Sequence, residues 1–277
     1  MTERDKDGDK PSNYRLLMME NKFTLHIAVI AAYKYVIFMP VTRMRILSID
    51  TSGAVCGAAV VDSAAGLLSS ASVNTDAVKS THSAYLMAVI DFILNEAAVD
   101  IGAMDAFAVV VGPGSFTGLR VGIATVNGLC YATGKPAVAV SSLEALAWNF
   151  PFAADPVCTI IDARQGEVYG AVFQWSDGGF NTIVTPQLFG IPDSLLLLRA
   201  LNEGRVIFTG GGLAVHKSAI TAALGAAAIF PEVTHISPYV VGTLGLKMAQ
   251  RGEFASELRP IYIRLPLAVE RLKSVGG

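Results

Sequence analysis

Three glycine-rich turns, with a few hydroxyls and carboxylates around them, are where residue types and spacing in this chain could do chemistry. The stretch "GPGSFTGLRVG", Gly112 to Gly122, runs from an apolar strand into an apolar helix. Gly112 and Gly114 open backbone conformations closed to other residues, Ser115 can cap the helix, and the helix start offers free N–H groups and a positive dipole end to an anion. The spacing is G-x-G-x-x-x-G, so it is neither the dinucleotide fingerprint nor a Walker A loop. Ser115 does not sit in a G-x-S-x-G elbow either. Close packing of the helix through Gly118, Gly122 and Gly128 competes with phosphate binding, and spacing alone leans towards packing.

A second turn, Asp50-Thr51-Ser52-Gly53, follows a buried strand. A carboxylate there can hold Mg²⁺ through water while the turn brackets phosphates, or the hydroxyls can simply satisfy their own backbone. Both readings stay open. In the third turn, Gly210, Gly211 and Gly212 stand between strand and helix, where a nucleoside could lie flat or the chain could turn tightly. His82 opens a helix, but the i+4 position a metal pair needs is Leu86; His216 and His235 have no metal-spaced partner. No metal site is expected. Asp162, Arg164, Glu167 and Tyr169 read as paired groups across a hairpin.

The elements that must position these residues follow from hydrophobic periodicity. "RILSIDTS", "CGAAVVDS" and "GLLSSASVN" are three β-type runs, then "THSAYLMAVIDFILNEAAV" is a helix with Ser80 or Thr81 as N-cap. "DAFAVVVG" is a strand, "FTGLRVGIATVNGLCYATG" a helix ending at Gly134, "KPAVAVS" a strand and "SLEALAWNF" a helix. After Pro151 and Pro156 the pattern restarts with two strands joined near Arg164 to Glu167. A helix opened by Pro192 and Asp193 follows, then the strand, triple-glycine turn and helix of "RVIFTGGGLAVHKSAITAAL", and a last helix in "SPYVVGTLGLKMAQRG". The expectation is an α/β chain of two lobes, 44–150 and 151–277.

With 277 residues, 52% of them hydrophobic, the chain can bury a substantial core, and its net charge of −2 supplies no field for phosphate backbones. Cys56, Cys130 and Cys158 lie far apart in apolar stretches without a C-x-x-C pair, as in a reducing cytoplasm. Residues 1–43 read as an N-terminal extension outside the core fold, with mixed charges at the start. Its apolar run Phe23–Met39 is short for a membrane span, carries His26 and Lys34, and has no A-x-A cleavage site. No membrane role is expected.

Both first-lobe helices carry more apolar surface than one sheet can cover. Leu86, Val89, Ile93 and Ala97 make one row, with Tyr85, Ala88 and Phe92 beside it. In the next helix Phe116, Leu119, Ile123, Val126 and Cys130 make a core row, and small residues fill much of the rest. Packing within the chain is the ordinary explanation. The surplus favours an exposed association surface.

Taken in order, "MRILSIDTS", "THSAYLMAVIDFIL", "GPGSFTGLRVGIATVNGL", "VSSLEALA", "DARQGEVYGAVF" and "RPIYIRLP" resemble the TsaB (YeaZ) family over about residues 44–265. The resemblance implies the two-lobed actin/Hsp70/sugar-kinase-like (ribonuclease H-like) fold. It also implies a non-catalytic scaffold that binds the catalytic TsaD subunit for N6-threonylcarbamoyladenosine formation at adenosine 37 of tRNAs reading ANN codons. TsaC and TsaE are functionally linked, tRNA is met through the complex, and a homodimer forms when TsaD is absent. The implied interface comprises Tyr85, Ala88, Val89, Phe92, Arg120, Ala124, Asn127 and Tyr131. Asp50, Thr51, Ser52, Gly112, Gly114, Ser115 and Gly210 to Gly212 become the remnant of a nucleotide site. ATP and Mg²⁺ then belong to the complex rather than to this chain alone. Asp50-Thr51-Ser52-Gly53 departs from the D-x-G-T loop of superfamily ATPases, which argues against independent hydrolysis. The alternative is an ATP-dependent small-molecule kinase or ATPase working through Asp50, Ser115 and Gly210 to Gly212.

Overall fold

A computed structural model describes residues 43–78, 81–191 and 204–263. Ser80, the helix expected from Pro192 and the Phe23–Met39 run lie outside the described residues. Met44–Gly277 forms one compact unit. Among the described residues no helix is long and apolar enough to cross a membrane.

The first sheet contains β1 (Arg45–Asp50), β2 (Val55–Asp62), β3 (Gly66–Asn74), β4 (Ala106–Gly112) and β5 (Ala137–Ser141). Its spatial order is β3-β2-β1-β4-β5, an antiparallel meander continued by two strands parallel to β1. The central strands are apolar on both sides, with Ser48 the one polar residue inside the run, because both faces are covered. Over one face lie α1 (His82–Glu96) and α2 (Phe116–Thr133), which share a core with Leu47, Ile49, Phe107 and Val109. Thr81 takes the N-cap position of α1, but its hydroxyl meets Ser83 Oγ at 3.1 Å and makes no cap bond to the backbone. Ser115 does cap α2, accepting the Gly118 N–H, and Gly134 ends it in the left-handed region at φ 69°.

The second sheet repeats this plan. β6 (Val157–Arg164), β7 (Glu167–Ser176) and β8 (Gly179–Gly190) form the antiparallel meander, while β9 (Val206–Thr209) and β10 (Ala228–Ile229) run parallel to β6 in the order β10-β9-β6-β7-β8. Strand for strand it has the topology of the first sheet, which is the doubled ribonuclease H-like arrangement of the actin, Hsp70 and sugar-kinase superfamily. β8 was not expected from sequence; it carries Pro186 and many polar residues, which an edge strand tolerates.

Three more helices complete the layers: α3 (Ser142–Ala147), α4 (Leu213–Leu224) and α5 (Pro238–Gln250). α4 packs Leu213 and Ile220 on the second sheet with Phe208 and Val172. Although it comes last in sequence, α5 covers the first sheet through Val241, Leu244 and Ala249. The short α3 lies between the sheets, with Ala145 and Leu146 in the core of the first and Leu143 and Ala147 against Val157, Ala171 and Phe173 of the second.

Candidate functional site

The strand-end turns meet in a cleft. β1 ends at Asp50, which is only 2% exposed and accepts the Ser52 N–H at 2.9 Å. Burial pushes its pKa up to about 6, against the pull of the Ser52 hydrogen bonds and of His82 and His235 nearby. His82 Nε2 lies 2.8 Å from the Gly53 carbonyl, so this histidine braces the turn. A cavity of about 210 Å³ is lined by Asp50, Ser52, Asn74, Gly211, Thr234 and His235, among others. Of the expected nucleotide remnant, therefore, Asp50, Ser52 and Gly211 share one space. Gly210 is instead buried against the Ile160 carbonyl, which also accepts the Gly212 N–H at 3.1 Å.

The glycine loop before α2 faces its own chain. Ser115 N–H donates to the Ser52 carbonyl at 2.7 Å, and Thr51 Oγ1 donates to the Gly118 carbonyl at 2.7 Å. The Thr51 carbonyl fills the place a Gly118 side chain would need, and the Ser52 carbonyl does the same beside Gly114. What the loop packs against is thus the β1–β2 turn. A phosphate at the start of α2 would have to displace that turn.

The superfamily fold implies Mg-ATP, and these residues do not fit it. The cavity is smaller than the roughly 300 to 1,000 Å³ of ordinary ligand sites. Asp162, in the other expected polar cluster, pairs loosely with Arg164 at 3.8 Å on an open turn.

A different surface is built by α1 and α2. α1 buries Leu86, Val89, Ile90 and Ile93 and turns outward Ala88, Met87 at 57% exposure and Phe92 at 53%, with Tyr85 half-buried. α2 buries Leu119, Ile123 and Val126 and leaves Arg120, Ala124, Asn127 and Tyr131 exposed, the last at 93%. Two residues differ from expectation. Val89, expected on the association face, lies in the core, because one helical step of about 100° from Ala88 turns it onto the sheet. Phe116, expected in the core row, is 42% exposed; it sits in the first turn of α2 and stacks on Tyr262.

Two comparisons with known proteins decide the family. A family model described as "TsaD: tRNA N6-adenosine threonylcarbamoyltransferase" matches residues 73–251. A Bacillus subtilis (strain 168) protein, "tRNA threonylcarbamoyladenosine biosynthesis protein TsaB", is 31% identical over 227 residues, covering 80% of this chain and 95% of that protein. The chain belongs to the TsaB family. It is also similar to a solved Pseudomonas aeruginosa protein described as similar to peptidase YEAZ, with 25% identity, a TM-score of 0.67 and coverage of 80% of this chain and all of that one. A second structure, YeaZ from the same organism, is alike in fold at 24% identity and a TM-score of 0.65, covering 79% and 99% of the two chains.

The stretches that resemble the TsaB family now have places. "MRILSIDTS" is β1 and its turn, and "GPGSFTGLRVGIATVNGL" is the loop and most of α2. Sequence reasoning missed Asn74, Thr234 and His235 in the cleft, because the end of β3 and a loop far along the chain supply them. It also missed the contact of Tyr262 with Phe116 and Arg120.

Proposed function

We propose that this chain is the non-catalytic TsaB-type partner of a TsaD-type subunit in the formation of N6-threonylcarbamoyladenosine on tRNA, and that it docks through the outward sides of α1 and α2. The observation that carries this reading is the apolar exposure of Ala88, Met87, Phe92 and Tyr131 on two helices whose inner sides already fill the core of the first sheet. Large apolar side chains left exposed together on neighbouring helices suit an association surface. In this reading residues 44–150 supply the face and 151–277 brace it. TsaC, TsaE and tRNA act through the assembled complex in the cytoplasm, and a second copy of the chain occupies the same face when TsaD is absent.

The test is capture of a TsaD-type subunit by the full chain and by its Ala88→Arg and Ala124→Arg variants. Both positions are exposed, so the fold is retained, and each arginine is caught without a partner once the face is covered. Wild-type capture with loss in both variants is expected. Undiminished capture by both would overturn the reading.

A further inference from the structure

After α5 the chain runs back as a strap over the end of the first sheet. Ala255 N–H donates to the Ala137 carbonyl at 2.8 Å, Leu258 is buried in the core beneath α1 and α2, and Ile261 N–H donates to the Val111 carbonyl at 2.8 Å. A side chain on Gly112 would come within 2.9 Å of the Ile261 carbonyl, so this glycine admits the strap. At Tyr262 the strap meets the first turn of α2. There the Tyr262 ring stacks on Phe116 with centroids 5.6 Å apart and planes 30° apart. The Arg120 guanidinium carbon lies 3.9 Å from the centre of the Phe116 ring, and Arg120 Nε donates to Tyr262 Oη at 3.2 Å.

These contacts hold one exposed cation from two sides. Most surface arginines sample many rotamers and lose that freedom on binding, which weakens association. Arg120 is held on one side by a ring and at Nε by a phenol, while no partner of its Nη groups is found among the described residues. A planar guanidinium held so can offer its remaining N–H groups to an oxygen acceptor.

We propose that Tyr262 is a positioning residue for docking: together with Phe116 it holds Arg120 in place to donate to an oxygen acceptor, a carboxylate or a carbonyl, on the TsaD-type subunit. This rests on the docking reading above and extends the face from the two helices to the C-terminal strap.

The experiment is a double-mutant cycle on the full chain, with affinity for the TsaD-type subunit measured by calorimetry and thermal midpoints recorded for every variant. Tyr262→Phe keeps the stacked ring and removes only the acceptor of the Arg120 Nε bond. It weakens binding about threefold, and Tyr262→Ala about tenfold. In the Arg120→Ala background Tyr262→Phe has no further effect, which a merely structural role for the phenol would not produce. Unchanged affinity in Tyr262→Ala, or an equal loss from Tyr262→Phe in both backgrounds, overturns the proposal. Ala124→Arg separates the two readings: if it abolishes binding while the Tyr262 variants bind normally, only the strap is refuted, and if it binds normally, docking on α2 is itself wrong.

Discussion

The carbonyl oxygen of Thr51 sets how close α2 can come to β1. It occupies the volume a side chain at Gly118 would need, while the Thr51 hydroxyl bonds the Gly118 carbonyl. Gly118→Ala therefore forces the helix start away from the turn and breaks that bond, at a cost of about 3 kcal/mol. A urea titration checks it: the midpoint falls with the slope unchanged. Asp50 makes a second prediction. Its carboxyl ionises near 3.8 when unfolded, and burial raises this to about 6 in the native chain. Below pH 4 both states hold the proton and the group costs nothing. As pH rises from about 4 to 6 the unfolded state ionises while the native state keeps its proton, so stability declines across that window by about 3 kcal/mol and levels off above it. Asp50→Asn cannot ionise and can still accept the Ser52 N–H. Its thermal midpoint stands several degrees above the wild type at pH 7.5, and the gap closes at pH 4; equal midpoints at pH 7.5 would show that the native carboxylate is not strained.

Among the elements, α1 and α2 carry the proposed docking, since each has one side buried on the sheet and another that leaves Phe92 or Tyr131 exposed. Ala88→Arg and Ala124→Arg leave the thermal midpoint nearly unchanged and reduce TsaD-type affinity by two orders of magnitude or more, as expected for a buried unpaired charge costing about 3 to 5 kcal/mol. These helices were legible because Leu86, Ile90 and Ile93, and Leu119, Ile123 and Val126, recur at helical spacing. β4 was legible as an unbroken apolar run and β1 as a short one interrupted only by Ser48. β8 was not, because Asn181, Pro186 and the glycines at its ends break up its apolar residues, which an edge strand tolerates. β10, two residues long, leaves no pattern to find. Phe116 fits the helical repeat and still faces out, because periodicity tells which side of a helix is apolar but not where the sheet beneath it ends. The glycine loop was ambiguous for a similar reason: the spacing allowed an anion or a close neighbour, and the neighbour, Thr51, belongs to a separate segment.

For the whole molecule, two α/β lobes are recognisable from the order of strands and helices, but the matching topology of their sheets and the layers between them are not. α5 comes from the last third of the chain and lies on the first sheet, with the Ser48 hydroxyl donating to the Pro238 carbonyl at 2.7 Å. Because Met44–Gly277 is a compact unit by itself, a chain beginning at Arg43 should keep both its thermal midpoint and its affinity for the TsaD-type subunit. A large fall in either would make residues 1–42 part of the working molecule. The six residues of α3 matter beyond their number. Leu143 and Ala147 are packed with one sheet and Ala145 and Leu146 with the other, all within 2% of complete burial. To swing the halves apart the protein would have to wet one pair or the other, so α3 resists a hinge between the sheets, and in the docking proposed above the chain would serve as a jig and not as a jaw, a fixed outline for another molecule to close against.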